Sequence, residues 1–288
     1  MFLSSSGKSL ISVLALDLDG TVVTHDYRMS DRTVAAVSRF KESGGDVLIA
    51  SGRSARAAFP WAVRLGGVSG MICHNGAAVY ATRHPTPEDH THEAQDLYSL
   101  VASTLLPDSV ARKLIDFSRT AGVHFHAFAG DDWLYERTLR GTGIYRGRAG
   151  FDGTPTDFDT LAGFGFFKAM FVDLPGPDMD DLALKIRSLL GNEAEVMFTA
   201  GGFLEVVAPG VSKAVGLAGW LCARGKTMAE VLALGDADND EAMLLAAGIG
   251  VAMGSAPEYL KAKVGTITGT VDEDGAAAAI EAFLDGGS

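Results

Sequence analysis

The stretch Val13-Leu14-Ala15-Leu16-Asp17-Leu18-Asp19-Gly20-Thr21 decides the fold, because it joins a short apolar run to a polar turn. Consecutive apolar residues that end at a carboxylate are typical of a strand buried on both faces, as in a parallel sheet. In such sheets, ligands bind at the carboxyl ends of the strands. We therefore expect Asp17 and Asp19 to lie at a binding edge.

Further apolar runs end in polar residues in the same way. They cover residues 47–50, 71–73 and 231–234. Because each run ends like the first, all of them are predicted to be parallel strands with their polar ends at one edge of the sheet. The residues that follow these runs are Ser51 with Gly52 and Arg53, Asn75, and Asp236 with Asn239 and Asp240.

Helical stretches separate these strands. Ser30 can cap one helix, and Ser54 begins a second candidate that contains Pro60, which either kinks this helix or delays its start. Ser212 can cap a third helix, which begins with Lys213. The alternation of strands and helices predicts βαβ units, and hence an α/β fold with a doubly wound, mostly parallel, Rossmann-like sheet.

The middle of the chain has a different pattern. Residues 81–208 contain two amphipathic helix candidates, at 109–119 and 179–190, among strands rich in aromatic and β-branched residues. Neighbouring strands with few helices favour an antiparallel sheet with helices on one face, and Gly201-Gly202 predicts a hairpin turn in it. We predict a catalytic core of residues 1–80 and 209–288, interrupted by an inserted α+β domain of residues 81–208.

The charge of the chain limits its partners. Its 288 residues include 24 Lys and Arg against 36 Asp and Glu, a formal net charge of −12. Such a surface repels nucleic acid and anionic membranes, so we expect neither as a partner. A small phosphorylated ligand is compatible with this charge if cations offset it locally. The apolar run before Asp17 is too short for a membrane span and predicts a strand, not a signal peptide.

The cysteines indicate the redox compartment. Cys73 and Cys222 are too few for a disulfide framework, so they fit a protein of the reducing cytoplasm. Both are predicted to be small, buried, apolar groups. The sequence leaves the oligomeric state open.

The predicted binding edge combines carboxylates with a hydroxyl, an amide and an ammonium group. Carboxylates that lie close together repel each other unless a cation neutralises them, and ligand sets made only of oxygen favour Mg²⁺. One carboxylate can attack phosphorus to form an aspartyl-phosphate, and a second can transfer the protons. Ser51 and Lys213 can hold the phosphoryl oxygens. These residues therefore predict Mg²⁺-dependent chemistry on a phosphate ester.

The same segments resemble, in order, the four motifs of the haloacid dehalogenase-like (HAD) superfamily. Asp17-Leu18-Asp19-Gly20-Thr21 is similar to motif I, D-x-D-x-T, and Ser51-Gly52-Arg53 is similar to motif II. Lys213 looks like the lysine of motif III, and residues 235–240 resemble motif IV, G-D-x-x-N-D. Residues 248–256 also resemble the tail of the Cof-type branch. The insert lies between motifs II and III, and this position resembles that of the α/β cap of that branch.

The resemblance implies a role for each motif residue. Asp17 would be the nucleophile and, through its other oxygen, a ligand of Mg²⁺. Asp19 would be the general acid and base, with its backbone carbonyl also on the metal, and Asp236 would be the remaining acidic ligand. The other roles would be phosphate binding by Ser51, Gly52, Lys213 and Asn239, and support of the site by Thr21, Arg53, Asn75 and Asp240.

Asp19 also selects among the reactions of the superfamily. Haloacid dehalogenases and transport ATPases lack the second Asp of motif I, so the resemblance favours a phosphatase or a phosphomutase. We predict a Mg²⁺-dependent phosphomonoesterase that acts on a small phosphorylated metabolite such as a sugar phosphate. The alternatives are a phosphotransferase or mutase of the phosphomannomutase type, a non-catalytic phosphometabolite-binding protein, and a glycosidase with paired carboxylates.

The insert has to supply the contacts to the leaving group, because the core contacts only phosphate. His124 and His126 would share one face of a strand, where they either face solvent, pack, or contact the substrate. The remaining polar sets are Arg137, Arg140, Arg146 and Arg148, which are candidate contacts to a polar substrate, and His84, His90 and His92, which are more typical of a solvated loop than of a metal site.

Overall fold

Two β-sheets organise the chain. The computed structural model describes residues 11–83, 97–172, 176–199 and 203–286, and among these no helix has both the length and the apolar character needed to cross a membrane. The strands are β1 Val13–Leu16, β2 Asp46–Ala50, β3 Gly70–Cys73, β4 Ala78–Thr82, β5 Tyr98–Ser103, β6 His124–Ala129, β7 Asp132–Tyr135, β8 Thr154–Pro155, β9 Lys168–Val172, β10 Glu195–Thr199, β11 Phe203–Val207, β12 Val231–Gly235 and β13 Ile249–Ala252. The α-helices are α1 Asp31–Glu42, α2 Ala55–Arg64, α3 Asp108–Ala121, α4 Arg140–Ala149, α5 Gly176–Leu190, α6 Lys213–Cys222, α7 Glu241–Ala246, α8 Glu258–Val264 and α9 Gly275–Leu284.

The first sheet forms the core and has the strand order β13-β12-β1-β2-β3-β4-β5. The pairings from β13 to β3 are parallel, whereas β4 pairs antiparallel with both β3 and β5. β1 and β12 are buried along their whole length, which is why their sequences are unbroken apolar runs rather than alternating ones. The predicted α/β fold with a mostly parallel core sheet is confirmed.

Serine caps begin several of the helices next to this sheet. The Ser30 side chain accepts a hydrogen bond from the Thr33 backbone N–H at the start of α1, and Ser212 accepts one from Val215 at the start of α6. Pro60 lies inside α2 and does not delay the start of that helix. The cap of α6 places Lys213 in the first turn of its helix.

The second sheet, formed by the insert, has the order β10-β11-β9-β6-β7-β8. Its described pairings are antiparallel except β7–β8. Helices α3 and α5 pack on one face, where Leu114 and Ile186 join Phe171 of the sheet in one apolar cluster. Helix α4 packs on the other face, where Tyr145 contacts Phe128. Because strand residues alternate between faces, β9 presents one set of side chains to α3 and α5 and the other to α4. The α+β architecture of the insert is confirmed.

The core sheet extends past residue 80, where we predicted the core to end. β4 runs to Thr82, and β5, at residues 98–103, pairs with it in the same sheet. The limits of the two domains stay a prediction, because sheet membership alone does not define a domain. In the second sheet, Thr199 lies opposite Phe203. The predicted turn at Gly201-Gly202 and the histidines His84, His90 and His92 lie outside the described residues.

The cysteines differ in their surroundings. Cys73 is buried at the end of β3, as predicted, but Cys222 is exposed at the end of α6. The buried face of α6 includes Leu217 and Leu221, and the residue that follows Leu221 on the helix turns away from this face. The prediction of a buried Cys222 is therefore wrong.

Candidate active site

Three carboxylates meet at the carboxyl edge of the core sheet. Asp17 follows β1 and Asp236 follows β12, and because these two strands are parallel neighbours, both residues reach the same edge. Asp240 ends a short 3₁₀ turn after β12. One oxygen of each carboxylate lies within 4.8 Å of the others. The fold therefore brings together carboxylates from two distant segments of the chain.

A buried ammonium group joins two of these carboxylates. Lys213 is 1% exposed and donates to Asp17 Oδ1 at 2.6 Å and to Asp240 Oδ1 at 2.7 Å. Burial alone would lower the pKa of Lys213, but the negative charges of Asp17 and Asp240 outweigh burial and raise this pKa. The two carboxylates therefore favour the charged form of Lys213.

The second oxygen of Asp240 is bound by the backbone. Asp240 Oδ2 accepts the N–H groups of Asp236 and Ala237, both at 3.1 Å. These bonds hold the turn that follows β12. Because Asp240 is occupied by this turn and by Lys213, Asp17 and Asp236 are the carboxylates with oxygens to offer to a cation.

Burial makes these carboxylates unfavourable as bare anions. Burial raises the pKa of Asp17 well above its ordinary value, although Lys213 acts in the opposite direction. Burial and the charge of Asp240 raise the pKa of Asp236 to about 6. A site with buried carboxylates and only oxygen donors fits a hard divalent cation such as Mg²⁺, and not a metal that prefers thiolate ligands.

The turn after Asp19 touches Asp236. Thr21 Oγ1 donates to Asp236 Oδ1 at 3.1 Å. Gly20 has a φ of +87°, and a Cβ atom there would lie 2.3 Å from Asp236 Oδ2. Only glycine combines this left-handed conformation with such a close approach. The turn that carries Asp19 and Thr21 therefore requires glycine at position 20.

An arginine holds Asp19. Arg53 donates from Nε and Nη2 to the two carboxylate oxygens of Asp19, at 2.8 and 2.6 Å. Burial opposes the ionisation of Asp19, but the hydrogen bonds and charge of Arg53 outweigh it and lower the pKa of Asp19. The backbone N–H of Arg53 also donates to Ser51 Oγ at 3.2 Å, and Ser51 is buried. Arg53 thus orders both the predicted acid and the predicted phosphate-binding hydroxyl.

Asn75 and Asn239 connect the core edge to the insert. Asn239 Nδ2 donates to Asn75 Oδ1 at 2.9 Å, and Asn75 Nδ2 donates to Glu205 Oε2 at 2.7 Å. Asn75 is buried and has a φ of +58°, a left-handed conformation that asparagine tolerates better than most residues. Both amides therefore lie at the junction between the two sheets.

Two residues that the sequence did not single out complete this junction. Lys168 of β9 donates to Glu205 Oε1 of β11 at 2.8 Å and to the Gly52 carbonyl oxygen at 2.7 Å. Both charged side chains are almost fully buried and line the same cavity as Asp17. A signal for them was present, because each is the lone charge in an otherwise apolar strand, Lys-Ala-Met-Phe-Val and Phe-Leu-Glu-Val-Val.

A cavity of about 70 Å³ lies between the carboxylate edge and the insert. The core lines it with Asp17, Asp19 and Ser51, and the insert lines it with Tyr145 and Arg148 among other residues. A cavity of this size holds a few water molecules or a compact polar group. A phosphate group placed there would face the carboxylates, while its leaving group would face the insert.

The other candidate contacts in the insert have different surroundings. His124 and His126 are buried and pack together, with 3.2 Å between His124 Nε2 and His126 Nδ1, so they are packing residues. Arg146 pairs with Asp152 at 2.5 Å. Of the four predicted arginines, Arg148 lines the cavity.

Known proteins are similar to this chain over most of its length. A sequence profile for haloacid dehalogenase-like hydrolases matches residues 14–280. The chain is 30% identical to an HMP-PP phosphatase of Serratia proteamaculans over 252 residues, which cover 86% of this chain and 85% of the relative. It is 29% identical to a 5-amino-6-(5-phospho-D-ribitylamino)uracil phosphatase of Bacillus subtilis, with 95% and 96% of the two chains covered. A solved haloacid dehalogenase-like hydrolase from Bacteroides thetaiotaomicron superimposes with a TM-score of 0.80 at 28% identity, over 95% of this chain and 99% of that one.

Proposed function

The chain belongs to the haloacid dehalogenase-like hydrolase family, and we propose that it is a Mg²⁺-dependent phosphomonoesterase for a small phosphorylated metabolite. The observation that carries this proposal is the contact of Asp17 with Lys213 beside Asp236, at the carboxyl edge of the sheet. This arrangement offers a nucleophile, a permanent cation and a further carboxylate at one point. The relatives named above are phosphatases of small molecules, which supports a substrate of the same size. A sugar phosphate is one candidate substrate.

The first half of the reaction transfers the phosphoryl group to Asp17 and forms an acyl phosphate. A carboxylate oxygen of Asp17 attacks phosphorus, the bond between phosphorus and the leaving oxygen breaks, and Asp19 gives a proton to that oxygen. Lys213, the Ser51 hydroxyl and the backbone N–H of Gly52 neutralise the non-bridging oxygens. The product of this half is a phospho-Asp17 enzyme and the free alcohol.

The second half releases phosphate. Asp19 takes a proton from a water molecule, and the water oxygen attacks phosphorus so that the bond to Asp17 breaks. The contact with Arg53 favours the ionised form of Asp19, which suits this half of the reaction. In the first half, Asp19 can carry a proton only when its contact with Arg53 loosens. The contact with Arg53 therefore opposes the protonated form of Asp19.

The residues that would hold Mg²⁺ are Asp17, Asp236 and the backbone carbonyl of Asp19. The ion would supply positive charge to the phosphoryl oxygens and to the attacking carboxylate. Thr21 and Asp240 position Asp236 and Lys213 for this task. Asn75 and Asn239 link the site to the insert, which we propose acts as a cap formed by residues 81–208 over a core of residues 1–80 and 209–288. Closure of such a cap excludes water from the first half of the reaction.

The test is the variant Asp17→Asn. It keeps the size of the side chain but removes the nucleophile, so release of phosphate from phenyl phosphate should fall by about 10³-fold or more. Asp238→Asn is the matched control, because Asp238 is exposed and lies outside the carboxylate cluster. EDTA should abolish the activity of the wild type, and Mg²⁺ should restore it. If Asp17→Asn folds and keeps near wild-type hydrolysis, the proposed nucleophile is wrong.

A further inference from the structure

Helix α4 presents two polar groups to the cavity that make no hydrogen bond to the described part of the protein. Within the described part of the chain, neither the Arg148 guanidinium nor the Tyr145 hydroxyl makes a hydrogen bond, and Arg148 forms no ion pair. Tyr145 is only 8% exposed, and Arg148 is half-buried. The two residues are three positions apart, so their side chains share one face of the helix. Neither group is among the described buried polar atoms that lack a partner, so both reach the open space of the cavity, where a ligand can bind them.

The charges of the cavity indicate the kind of ligand. The described cations around it, apart from Arg148, form ion pairs with carboxylates, whereas the charge of Arg148 acts on Asp19 without a direct ion pair. A guanidinium that is partly removed from water gains most from an oxyanion, which it binds through two parallel N–H groups. The existing pairs are Arg53 with Asp19, Lys168 with Glu205, and Lys213 with Asp17 and Asp240.

The place of Arg148 at the end of its helix does not explain its orientation. A basic residue in the last turn interacts favourably with the helix dipole wherever its side chain points. Arg146 lies in the same turn, yet it is exposed and pairs with Asp152. Arg148 instead points to the cavity, where its guanidinium carbon lies 5.5 Å from the centre of the Phe203 ring. The helix dipole acts on both arginines, so it does not explain why Arg148 points to the cavity while Arg146 does not.

We propose that Arg148 and Tyr145 form a subsite for a second anionic group on the leaving group of the substrate, either a carboxylate or a second phosphate. This inference rests on the proposed function, because the first phosphate has to occupy the Asp17 side of the cavity. Arg148 binds the second oxyanion, and the Tyr145 hydroxyl donates a further hydrogen bond to it. Phe203 and Met170 form the apolar wall beside this subsite. The preferred substrates of the enzyme are thus compact molecules with two anionic groups.

The experiment compares substrates that differ only in the second anion. One pair, 3-phosphoglycerate and glycerol 3-phosphate, differs in a carboxylate, and the other, fructose 1,6-bisphosphate and fructose 6-phosphate, differs in a second phosphate. The wild type should show a higher kcat/KM for the anionic member in at least one pair, by about 10- to 100-fold, the usual effect of a hydrogen bond to a charged group. Arg148→Gln should bring this ratio close to one, Arg148→Lys should give an intermediate ratio, and the control Arg146→Gln should keep the ratio of the wild type.

A binding measurement gives a second readout. In the Asp17→Asn background, calorimetry should show tighter binding of 3-phosphoglycerate than of glycerol 3-phosphate, and Arg148→Gln should remove the difference. The inference is overturned if the wild type shows no preference in either pair. It is also overturned if Arg148→Gln lowers kcat/KM equally for both members of a pair, so that their ratio stays unchanged. A wild type that releases phosphate from none of the four esters contradicts the proposed function instead.

Discussion

Replacing Asp236 by asparagine should stabilise the protein in the absence of metal. The pKa of Asp236 rises from 3.8 to about 6 on folding, chiefly because the carboxylate is buried and lies near Asp240. A difference of about 2 pKa units, at about 1.4 kcal/mol per unit, amounts to about 3 kcal/mol of unfavourable free energy once the group is ionised. The asparagine side chain keeps an oxygen that can accept from Thr21, so the main change is the loss of the buried charge.

The contribution of Asp236 to the stability of the protein changes with pH in one direction. Because the pKa is higher in the folded state, the folded protein binds more protons than the unfolded chain between about pH 4 and pH 6, and this group lowers stability as the pH rises through that window. Above about pH 6 the penalty is complete and constant. The free energy of unfolding of Asp236→Asn should therefore exceed that of the wild type by up to about 3 kcal/mol at pH 8, and this difference should shrink toward pH 4.

Urea unfolding in EDTA measures this difference, with Asp238→Asn as the control for a charge removed from an exposed position nearby. Addition of Mg²⁺ should raise the stability of the wild type, because a ligand that binds only the folded state stabilises it, and should do so far less for Asp236→Asn. The reasoning fails if Asp236→Asn is no more stable than the wild type at pH 8 in EDTA. It fails equally if Mg²⁺ stabilises both proteins to the same extent.

Further perturbations address the junction and the turns. Glu205→Gln should lower the free energy of unfolding by about 3 kcal/mol or more, since it leaves the buried Lys168 without its carboxylate, and urea unfolding measures this loss. Burial lowers the pKa of His126 well below its ordinary value, so the free energy of unfolding of the wild type should fall as the pH drops below about 6.5. His126→Phe should make this fall less steep, by up to about 1.4 kcal/mol per pH unit. Gly76→Ala should be destabilised by several kcal/mol and lose activity, because a Cβ there would lie 2.0 Å from the Ser212 carbonyl oxygen, next to the lysine that contacts Asp17.

Each of these expectations has a matched control. Glu195→Gln removes a similar charge from an exposed position of β10 and should leave stability within about 0.5 kcal/mol of the wild type. His25→Phe is the control for the pH slope, because His25 is exposed. Gly143→Ala tests the glycine effect where a Cβ would meet nothing within 4 Å. Equal effects in a variant and its control would contradict the corresponding explanation.

The core could be predicted from the sequence because its strands are buried on both faces. A strand of this kind has to be an unbroken apolar run, and its end is visible as the first polar residue, as at Asp17 and Asp236. Parallel strands then place their ends together without further information. The same reasoning missed β4 and β5, which pair antiparallel beyond the parallel strands and are partly exposed.

The contacts of the insert with the core could not be predicted in this way. A strand pattern shows that alternate residues share a face, but it does not show which face meets the core. Lys168 and Glu205 were overlooked for this reason, although a lone charge in an apolar strand needs a buried partner. Asn75 was expected as a supporting residue at the rim, and the structure places it in a bridge to Glu205 that depends on how the two sheets dock.

The central position of β1 has a consequence for the order in which the protein can form during synthesis. β1 pairs on one side with β2, soon after it in the chain, and on the other side with β12, which is made more than two hundred residues later. At about 5–20 residues per second, a ribosome needs roughly 10–40 s to reach the second neighbour. During that interval the nascent chain carries an open hydrogen-bonding edge in the middle of its future core. An unpaired strand edge of this kind can pair with another chain, so the edge of β1 is protected only once β12 has been made.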